Sequence, residues 1–196
     1  MIVKPLCAAL GAVVLAGCVN VGIGGGKAPE QLLTLTSTAT VATGTMREGR
    51  LDNALAVAVP AVPRHLDVAR VPVQTGGNSL AYLADAFWVE KPASLFQRVL
   101  VETIRAGGSR MVVTGGELEY GARTQLDGEL LAMDYDAAMS RVVVRFDAVL
   151  RQPDGTIRQR RFESEETGVL PTAAAVAPAM NRAANDVAAQ VAQWVG

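Results

Sequence analysis

The clearest pattern in the chain is an alternation of apolar and polar residues between Arg141 and Arg151. A period of two is typical of a β-strand that buries one face. The residues predicted to face the core are Val142, Val144, Phe146, Ala148 and Leu150. The turn sequence Gln152-Pro153-Asp154-Gly155 follows, so residues 157–165 are predicted to return as the hairpin partner of this strand.

Two other segments repeat their apolar residues every three to four positions, which predicts amphipathic helices. The first opens at Pro92, a residue favoured in the first helical turn, and ends at Gly107-Gly108. The second spans residues 174–195, and because Pro178 falls near its start we expect the helix to begin later than Ala174. The predicted buried positions are Leu95, Phe96, Val99, Leu100 and Ile104 in the first helix, and Val176, Met180, Ala183, Val187, Val191 and Trp194 in the second.

The remaining apolar runs predict a sheet. Residues 53–59 are almost continuously apolar and end at Pro60, as expected of a central strand that is covered on both faces. Further extended segments are predicted at residues 31–36, 68–74, 79–89, 110–114 and 123–135. The last of them changes the parity of its apolar positions near Leu130, which indicates a β-bulge. This order of elements predicts a single α/β domain, with α+β as the alternative, in which two main helices pack on a mixed sheet.

The first residues of the chain have the layout of an export signal. Lys4 precedes an apolar run from Leu6 to Val19, and this run contains the sequence Leu15-Ala16-Gly17-Cys18. That sequence resembles a bacterial lipobox, in which the chain is cut before the cysteine and the cysteine thiol is acylated. The segment therefore predicts a lipoprotein with Cys18 as its lipid attachment site.

This assignment divides the chain into three parts. Residues 1–17 are predicted to be a lipoprotein signal peptide, residues 18–30 the acylated cysteine with a flexible glycine-rich linker, and residues 31–196 the folded domain. A linker of this composition has an end-to-end distance of roughly 20 Å. An ordinary secretory signal and an uncleaved membrane helix are the two alternatives, although the glycines at residues 22–26 dilute the second half of such a helix.

Composition excludes several kinds of function. Removing residues 1–17 removes one cation and leaves 17 cations against 19 anions, a net charge of −2, so nucleic-acid binding is unsupported. The chain has two cysteines; Cys7 lies in the signal, and Cys18 is consumed by lipid. The mature domain is therefore expected to have no disulfide, no cysteine ligand for a metal and no cysteine nucleophile.

No residue pattern predicts catalysis. His65 is the single histidine of the chain, and a Gly-x-Ser-x-Gly nucleophile motif is absent. We expect a surface or structural role for His65, because a metal site needs several such ligands. The acidic residues Glu163, Glu165 and Glu166 could be taken as a carboxylate cluster, but Glu163 and Glu165 share one strand face, and we expect them to form a solvated strand edge. The sequence thus predicts a protein that is not an enzyme and that has no cofactor or metal site.

An aromatic group precedes the first helix. It consists of Tyr82, Phe87 and Trp88. One interpretation is that these residues pack in the core beside the helix, and we favour it for Trp88. The other is that Phe87 and Trp88 contact a partner or lipid, since aromatic residues anchor many interfaces.

Several of these features together resemble the ABC-type transport auxiliary lipoproteins, which include the lipoprotein of the paraquat-inducible (Pqi) system. They are the lipobox at Cys18, Leu33-Thr34-Leu35, the apolar segment 53–60, and above all Leu80-Ala81-Tyr82 with Phe87-Trp88-Val89-Glu90-Lys91-Pro92 leading into a helix. The resemblance covers most of residues 30–195. This chain departs from the family at Phe87, where arginine is frequent.

The resemblance implies a compact α/β domain with a mixed sheet between helices and no ATP site of its own. It also implies work beside a permease, an ATPase and an MCE-domain substrate-binding protein, in systems that move lipids or lipid-like solvents between the envelope membranes. We therefore expect a lipid-anchored, periplasm-facing, non-catalytic accessory component. Its expected partners are the MCE-domain protein and, less directly, the ABC permease–ATPase complex.

Two other functions remain as alternatives. One is a structural or assembly lipoprotein of the outer membrane, such as a chaperone-like partner of a barrel, and the other is a lipid-anchored hydrolase. The residue after the cysteine bears on location: in enterobacterial sorting an aspartate there retains lipoproteins at the inner membrane. This chain has Val19 instead, so we expect the periplasmic face of the outer membrane, with the inner membrane as the alternative.

Overall fold

Seven strands and three α-helices are present in the part of the chain that the structure, a computed structural model, describes, namely residues 31–108 and 110–196. The strands are β1 (Leu55–Val57), β2 (Arg70–Gly76), β3 (Ser79–Phe87), β4 (Val112–Val113), β5 (Thr124–Asp136), β6 (Arg141–Arg151) and β7 (Ile157–Thr167). The helices are α1 (Pro92–Gly107), α2 (Gly116–Gly121) and α3 (Ala173–Val195), and a 3-10 turn spans Leu51–Asn53.

The sheet is mixed and is centred on β5. Strand β6 pairs antiparallel along the whole of one edge of β5, and β7 continues the sheet beyond β6. Strands β1 and β2 lie end to end along the other edge, both parallel to β5. Strand β3 forms a hairpin with β2, and β4 pairs parallel with β1. This arrangement confirms the predicted α/β domain with a mixed sheet.

The main core lies between one face of the sheet and the helices α1 and α3. The five alternating apolar residues of β6 are each at most 2% exposed, as their spacing predicted. Phe96 of α1 packs on Phe146 of β6, with ring centroids 5.3 Å apart. The predicted stripe of α1 is buried throughout, and Gly108 ends this helix in the left-handed conformation.

Strand β1 is covered on both faces, as its continuous apolar sequence predicted, although it is only three residues long. Leu55 and Val57 lie in the main core. Ala56 belongs to a second, smaller cluster with Ala54, Val113 and Ala122. The short helix α2, which the sequence analysis did not predict, packs beside β1 and ends at this cluster.

The predicted bulge in β5 is confirmed. The register of β5 against β6 shifts between Leu130 and Ala132. On either side of the shift, Leu130 and Met133 are both fully buried. The extra residue thus restores apolar side chains to the core face after the change of parity.

The expected late start of α3 is wrong, because the helix begins at Ala173. The hydroxyl oxygen of Thr172 accepts a hydrogen bond from the amide of Ala175 at 3.3 Å and caps the helix. Pro178 lies inside the helix on its exposed side and removes the hydrogen bond to the carbonyl of Ala174. Burial of Val176 in the same turns, together with the cap, outweighs that loss.

Candidate functional site

The chain enters the folded domain beside the aromatic segment that precedes α1. Leu33 forms a parallel bridge with Trp88. The amide of Leu33 donates to the carbonyl of Phe87 at 2.7 Å, and the amide of Val89 donates to the carbonyl of Leu33 at 2.8 Å. The extended segment predicted at residues 31–36 is thus a single bridge, and it ties the first described residues of the chain to the aromatic segment. Cys18 and the linker lie outside the described residues.

Trp88 and Phe87 have different environments. Trp88 is 2% exposed and belongs to the main core, which agrees with the packing interpretation that we favoured for it. Phe87 is half-buried and reaches the surface. Of the two aromatic residues considered as partner contacts, Phe87 is therefore the one that a partner can touch without a rearrangement of the core.

Arg70 of β2 connects the aromatic residues of β3. Its guanidinium carbon lies 4.8 Å from the ring centroid of Tyr82 and 5.5 Å from that of Phe87. Both distances are in the range of cation–π attraction. We call these three residues the Arg70 stack. A guanidinium thus lies beside position 87, although residue 87 itself is phenylalanine rather than arginine.

Exposed apolar residues occur in the same segments as the Arg70 stack and Leu33. Leu32 precedes the bridging Leu33 and is 52% exposed, and Val89 follows Trp88 and is 48% exposed. Leu80 lies on β3, two residues before Tyr82, and is also exposed. The surface around Leu33 therefore combines apolar side chains with the guanidinium of Arg70.

A buried polar pair joins β2 and β5. Asp134 of β5 is 6% exposed, and the side-chain amide of Gln74 donates to it at 3.0 Å. Burial raises the pKa of the Asp134 carboxyl above its ordinary value, while the hydrogen bond from Gln74 and the charge of His65 oppose the rise. The backbone carbonyl of His65 accepts a hydrogen bond from the hydroxyl of Tyr82 at 3.4 Å. This hydrogen bond links the loop that contains His65 to β3 through the backbone rather than through the imidazole.

The structure also locates the acidic residues of the predicted strand edge. Glu163 and Glu165 point to the solvent side of the sheet and form ion pairs with Arg145 and Arg141 of β6. Glu166 points to the other face and pairs with Arg182 of α3 at 2.8 Å. The three carboxylates are therefore not gathered into one cluster.

The clefts among the described residues that surround Met111 are lined by a mixture of charges. Two clefts of about 390 and 400 Å³ lie on either side of Met111, and charged residues of both signs line each of them. Over residues 31–108 and 110–196, no three His, Cys, Asp or Glu side chains are placed so that they could hold a metal ion. Among the helices of these same ranges, none combines the length and the apolar character needed to cross a membrane.

Comparison with protein families decides the assignment. The family model for the ABC-type transport auxiliary lipoprotein component matches residues 33–192. The chain belongs to this family. The match begins at Leu33, the residue that bridges to Trp88, and ends in the last turn of α3. It confirms the resemblance derived from the aromatic segment and the early strands.

Two crystal structures have the same fold as this auxiliary lipoprotein component. A protein from Xanthomonas campestris has a TM-score of 0.70 and 19% identity, over 84% of this chain and 94% of its own. An uncharacterised protein has a TM-score of 0.61 and 15% identity, over 85% of this chain and 100% of its own. At these identities the likeness concerns the fold alone. No curated protein matches the chain in sequence.

Sequence reasoning did not find two residues of the site. Arg70 sits in a segment predicted merely as extended, and its contact with Tyr82 depends on the register of the hairpin. Asp134 lies within a predicted strand, and the parity change in β5 hides which face it occupies. The one available signal for Asp134 was its place as an aspartate within the otherwise apolar residues 130–135.

Proposed function

We propose that this auxiliary lipoprotein component serves, without catalysis of its own, an MCE-type ABC system that moves lipids or lipid-like solvents across the cell envelope. In this proposal Cys18 carries the lipid anchor. The protein faces the periplasm from the outer membrane and binds the MCE-domain protein of the system. The observation that carries the proposal is the family match over residues 33–192.

The length expected for the predicted linker supports a docking role at a membrane surface. The first described residue, Gln31, is 13 positions after Cys18 (31 − 18), and such a linker spans roughly 20 Å. The linker joins the domain at Leu33, beside Phe87. We therefore place the Arg70 stack and the exposed Leu32 and Val89 on the part of the domain that is held near the membrane.

The chemistry of this surface suits a protein partner. Arginine and aromatic residues dominate the binding energy of many interfaces, and here the stacking of Arg70 between Tyr82 and Phe87 holds the guanidinium in one place. A side chain that is already ordered loses less conformational entropy when a partner binds. We expect the MCE-domain protein to present an acidic or carbonyl-rich surface opposite Arg70.

Affinity purification of the full-length anchored protein from detergent-solubilised envelope tests this proposal. We expect the MCE-domain protein, with the permease and ATPase, to co-purify with the wild type. Arg70→Gln should weaken that recovery, whereas Arg64→Gln, which removes an exposed arginine, should not. Recovery of a barrel protein without MCE or transporter subunits would instead support the assembly role. Hydrolysis of lipid or ester substrates by the purified protein would contradict the non-catalytic role.

A further inference from the structure

Among the strands formed by residues 31–108 and 110–196, β7 is a long edge strand with a row of backbone groups that point away from the sheet. It has 11 residues and pairs on one side with β6. The amide of Gln152 donates to the carbonyl of Thr156 at 2.9 Å in the turn before it. Because hydrogen-bonded pairs alternate along an antiparallel ladder, the even-numbered residues of β7 bond to β6. The N–H and C=O groups of its odd-numbered residues therefore point outward.

The sequence of β7 is antisymmetric in charge about its central residue, Phe162. The first half contains three arginines and the second half three glutamates. Reading outward from Phe162, Arg161 is matched by Glu163, Arg160 by Ser164, Gln159 by Glu165, and Arg158 by Glu166. An antiparallel copy of the same strand would thus meet opposite or neutral residues at every one of these positions.

We propose that two copies of this chain associate by pairing their β7 strands antiparallel about a twofold axis at Phe162, which joins the two sheets into one. The parity of the ladder agrees with this register, because the outward-pointing residues pair with each other, as Arg161 does with Glu163 of the second copy. A self-complementary surface of this kind is what a twofold dimer requires.

The charges also select the register. Moving the axis by one residue toward the N-terminus places Arg161 opposite Arg161 of the second copy, and moving it the other way places Glu163 opposite itself. Like charges directly opposite each other destabilise a strand pair, whereas opposite charges stabilise it. The register centred on Phe162 avoids both conflicts.

Ion pairs within each copy extend across the proposed junction. Arg161 pairs with Asp147 of β6 at 2.6 Å, and Glu163 pairs with Arg145 of the same strand. In the dimer these residues form one row across the open face, in the order Asp147, Arg161, and then Glu163 and Arg145 of the second copy. The signs in this row alternate without interruption, so that each inner charge has a partner on both sides.

One contact of the single chain competes with the pairing. The side-chain amide of Gln190 on α3 donates to the outward carbonyl of Glu163 at 3.3 Å. In the dimer the amide of Arg161 from the second copy replaces this donor. Charged residues on an edge strand can also serve to prevent association. If the charges of β7 had that role, the protein would be a monomer.

Gln159 provides the sharpest test, because no side-chain hydrogen bond of the described residues involves it, and the proposed dimer places it opposite Glu165 of the second copy. The test is native mass spectrometry of the full-length protein, released from detergent micelles over a range of concentrations. We expect dimers of the wild type. Because of the twofold axis, each substitution changes two pairs between residue 159 of one copy and Glu165 of the other. Gln159→Glu should therefore weaken the dimer roughly two- to thirtyfold, and Gln159→Lys should strengthen it by a similar factor.

The matched controls are Gln193→Glu and Gln193→Lys, which make the same charge changes at an exposed position of α3 and should leave the dimer unchanged. The proposal would be overturned if the wild-type protein and the Gln159→Lys variant were both monomeric. So would a dimer or larger assembly whose dissociation is the same in both Gln159 variants, because its interface would then lie elsewhere.

Discussion

The ring of Phe146 fills the space beside Gly128 in which any other residue would place its side chain. A Cβ atom on Gly128 would lie 2.7 Å from two ring carbons of Phe146 and 2.2 Å from the carbonyl oxygen of Asp147. The φ angle of Gly128 is 155°, a value that side-chain-bearing residues rarely adopt. The absence of a side chain in β5 therefore allows Phe146 of β6 to pack against α1.

Replacing this glycine should disturb the centre of the core. We expect Gly128→Ala to lower the free energy of unfolding by roughly 1–3 kcal/mol, because overpacking forces side chains and backbone to shift. Denaturant unfolding of the purified full-length protein measures the change. The control is Gly107→Ala, in the last turn of α1, where an added Cβ meets no atom within 4 Å. Equal stability of the two variants would contradict the packing described for Phe146.

Trp88 should contribute to stability rather than directly to binding. It is 2% exposed, so Trp88→Ala leaves a cavity in the main core. We expect a loss of roughly 3–5 kcal/mol in the free energy of unfolding. Val89→Ala changes an exposed neighbour and should stay within about 0.5 kcal/mol of the wild type. A Trp88→Ala variant that unfolds like the wild type but loses its partner would reverse this assignment.

At neutral pH the wild-type protein, with Asp134, should be less stable than the Asp134→Asn variant. Burial raises the pKa of the carboxyl, so the folded state binds the proton more tightly than the unfolded chain. The cost of burying the carboxylate is present above the pKa of the folded state, and it disappears as the pH falls below the ordinary value of 3.8. Asn at this position still accepts the hydrogen bond from Gln74.

Thermal unfolding across a range of pH tests that reasoning. Asp134→Asn should melt at a higher temperature than the wild type at pH 7, and the two curves should converge in acid. Asp186→Asn, an exposed change on α3, should differ little from the wild type at either pH. A constant difference between Asp134→Asn and the wild type at all pH values would show that the carboxyl does not titrate differently on folding.

The lipid anchor makes a separate prediction. Cys18→Ser should abolish incorporation of labelled palmitate and leave the unprocessed precursor, because the thiol is the predicted acceptor. Cys7→Ser, which alters the other cysteine within the predicted signal, should be labelled like the wild type. Labelling that persists in Cys18→Ser would contradict the lipobox assignment.

Much of the fold follows from the sequence where one physical factor dominates. The alternation in β6 and the stripe in α1 are set by burial of one face, and the structure confirms both. The start of α3 was predicted wrongly because Pro178 was weighed without Thr172, whose cap defines the first turn. Helix α2 was missed because six residues bounded by glycine contain no helical period.

The candidate site is less predictable because it joins residues that are far apart in the chain. The contact between Arg70 and Phe87 depends on a bulged register between β2 and β3, which no local pattern specifies. The bridge of Leu33 to Trp88 connects segments that are separated in the chain by β1, β2 and β3. In β7, by contrast, the charge antisymmetry is visible in the sequence alone, but its meaning depends on the strand being an edge.

Site-specific photo-crosslinking in intact cells tests whether the protein docks an MCE-domain partner through the surface around Leu33, where the predicted linker joins the domain. A photoreactive residue at Val89 lies on that surface. A photoreactive residue placed instead at Leu118 is exposed on α2, which packs beside β1 and away from the β2–β3 hairpin. We predict a crosslink from Val89, and none from Leu118, to an MCE-domain protein identified by mass spectrometry. Docking through this surface would be contradicted if only Leu118 formed crosslinks to that protein, or if Val89 formed crosslinks only to a barrel protein.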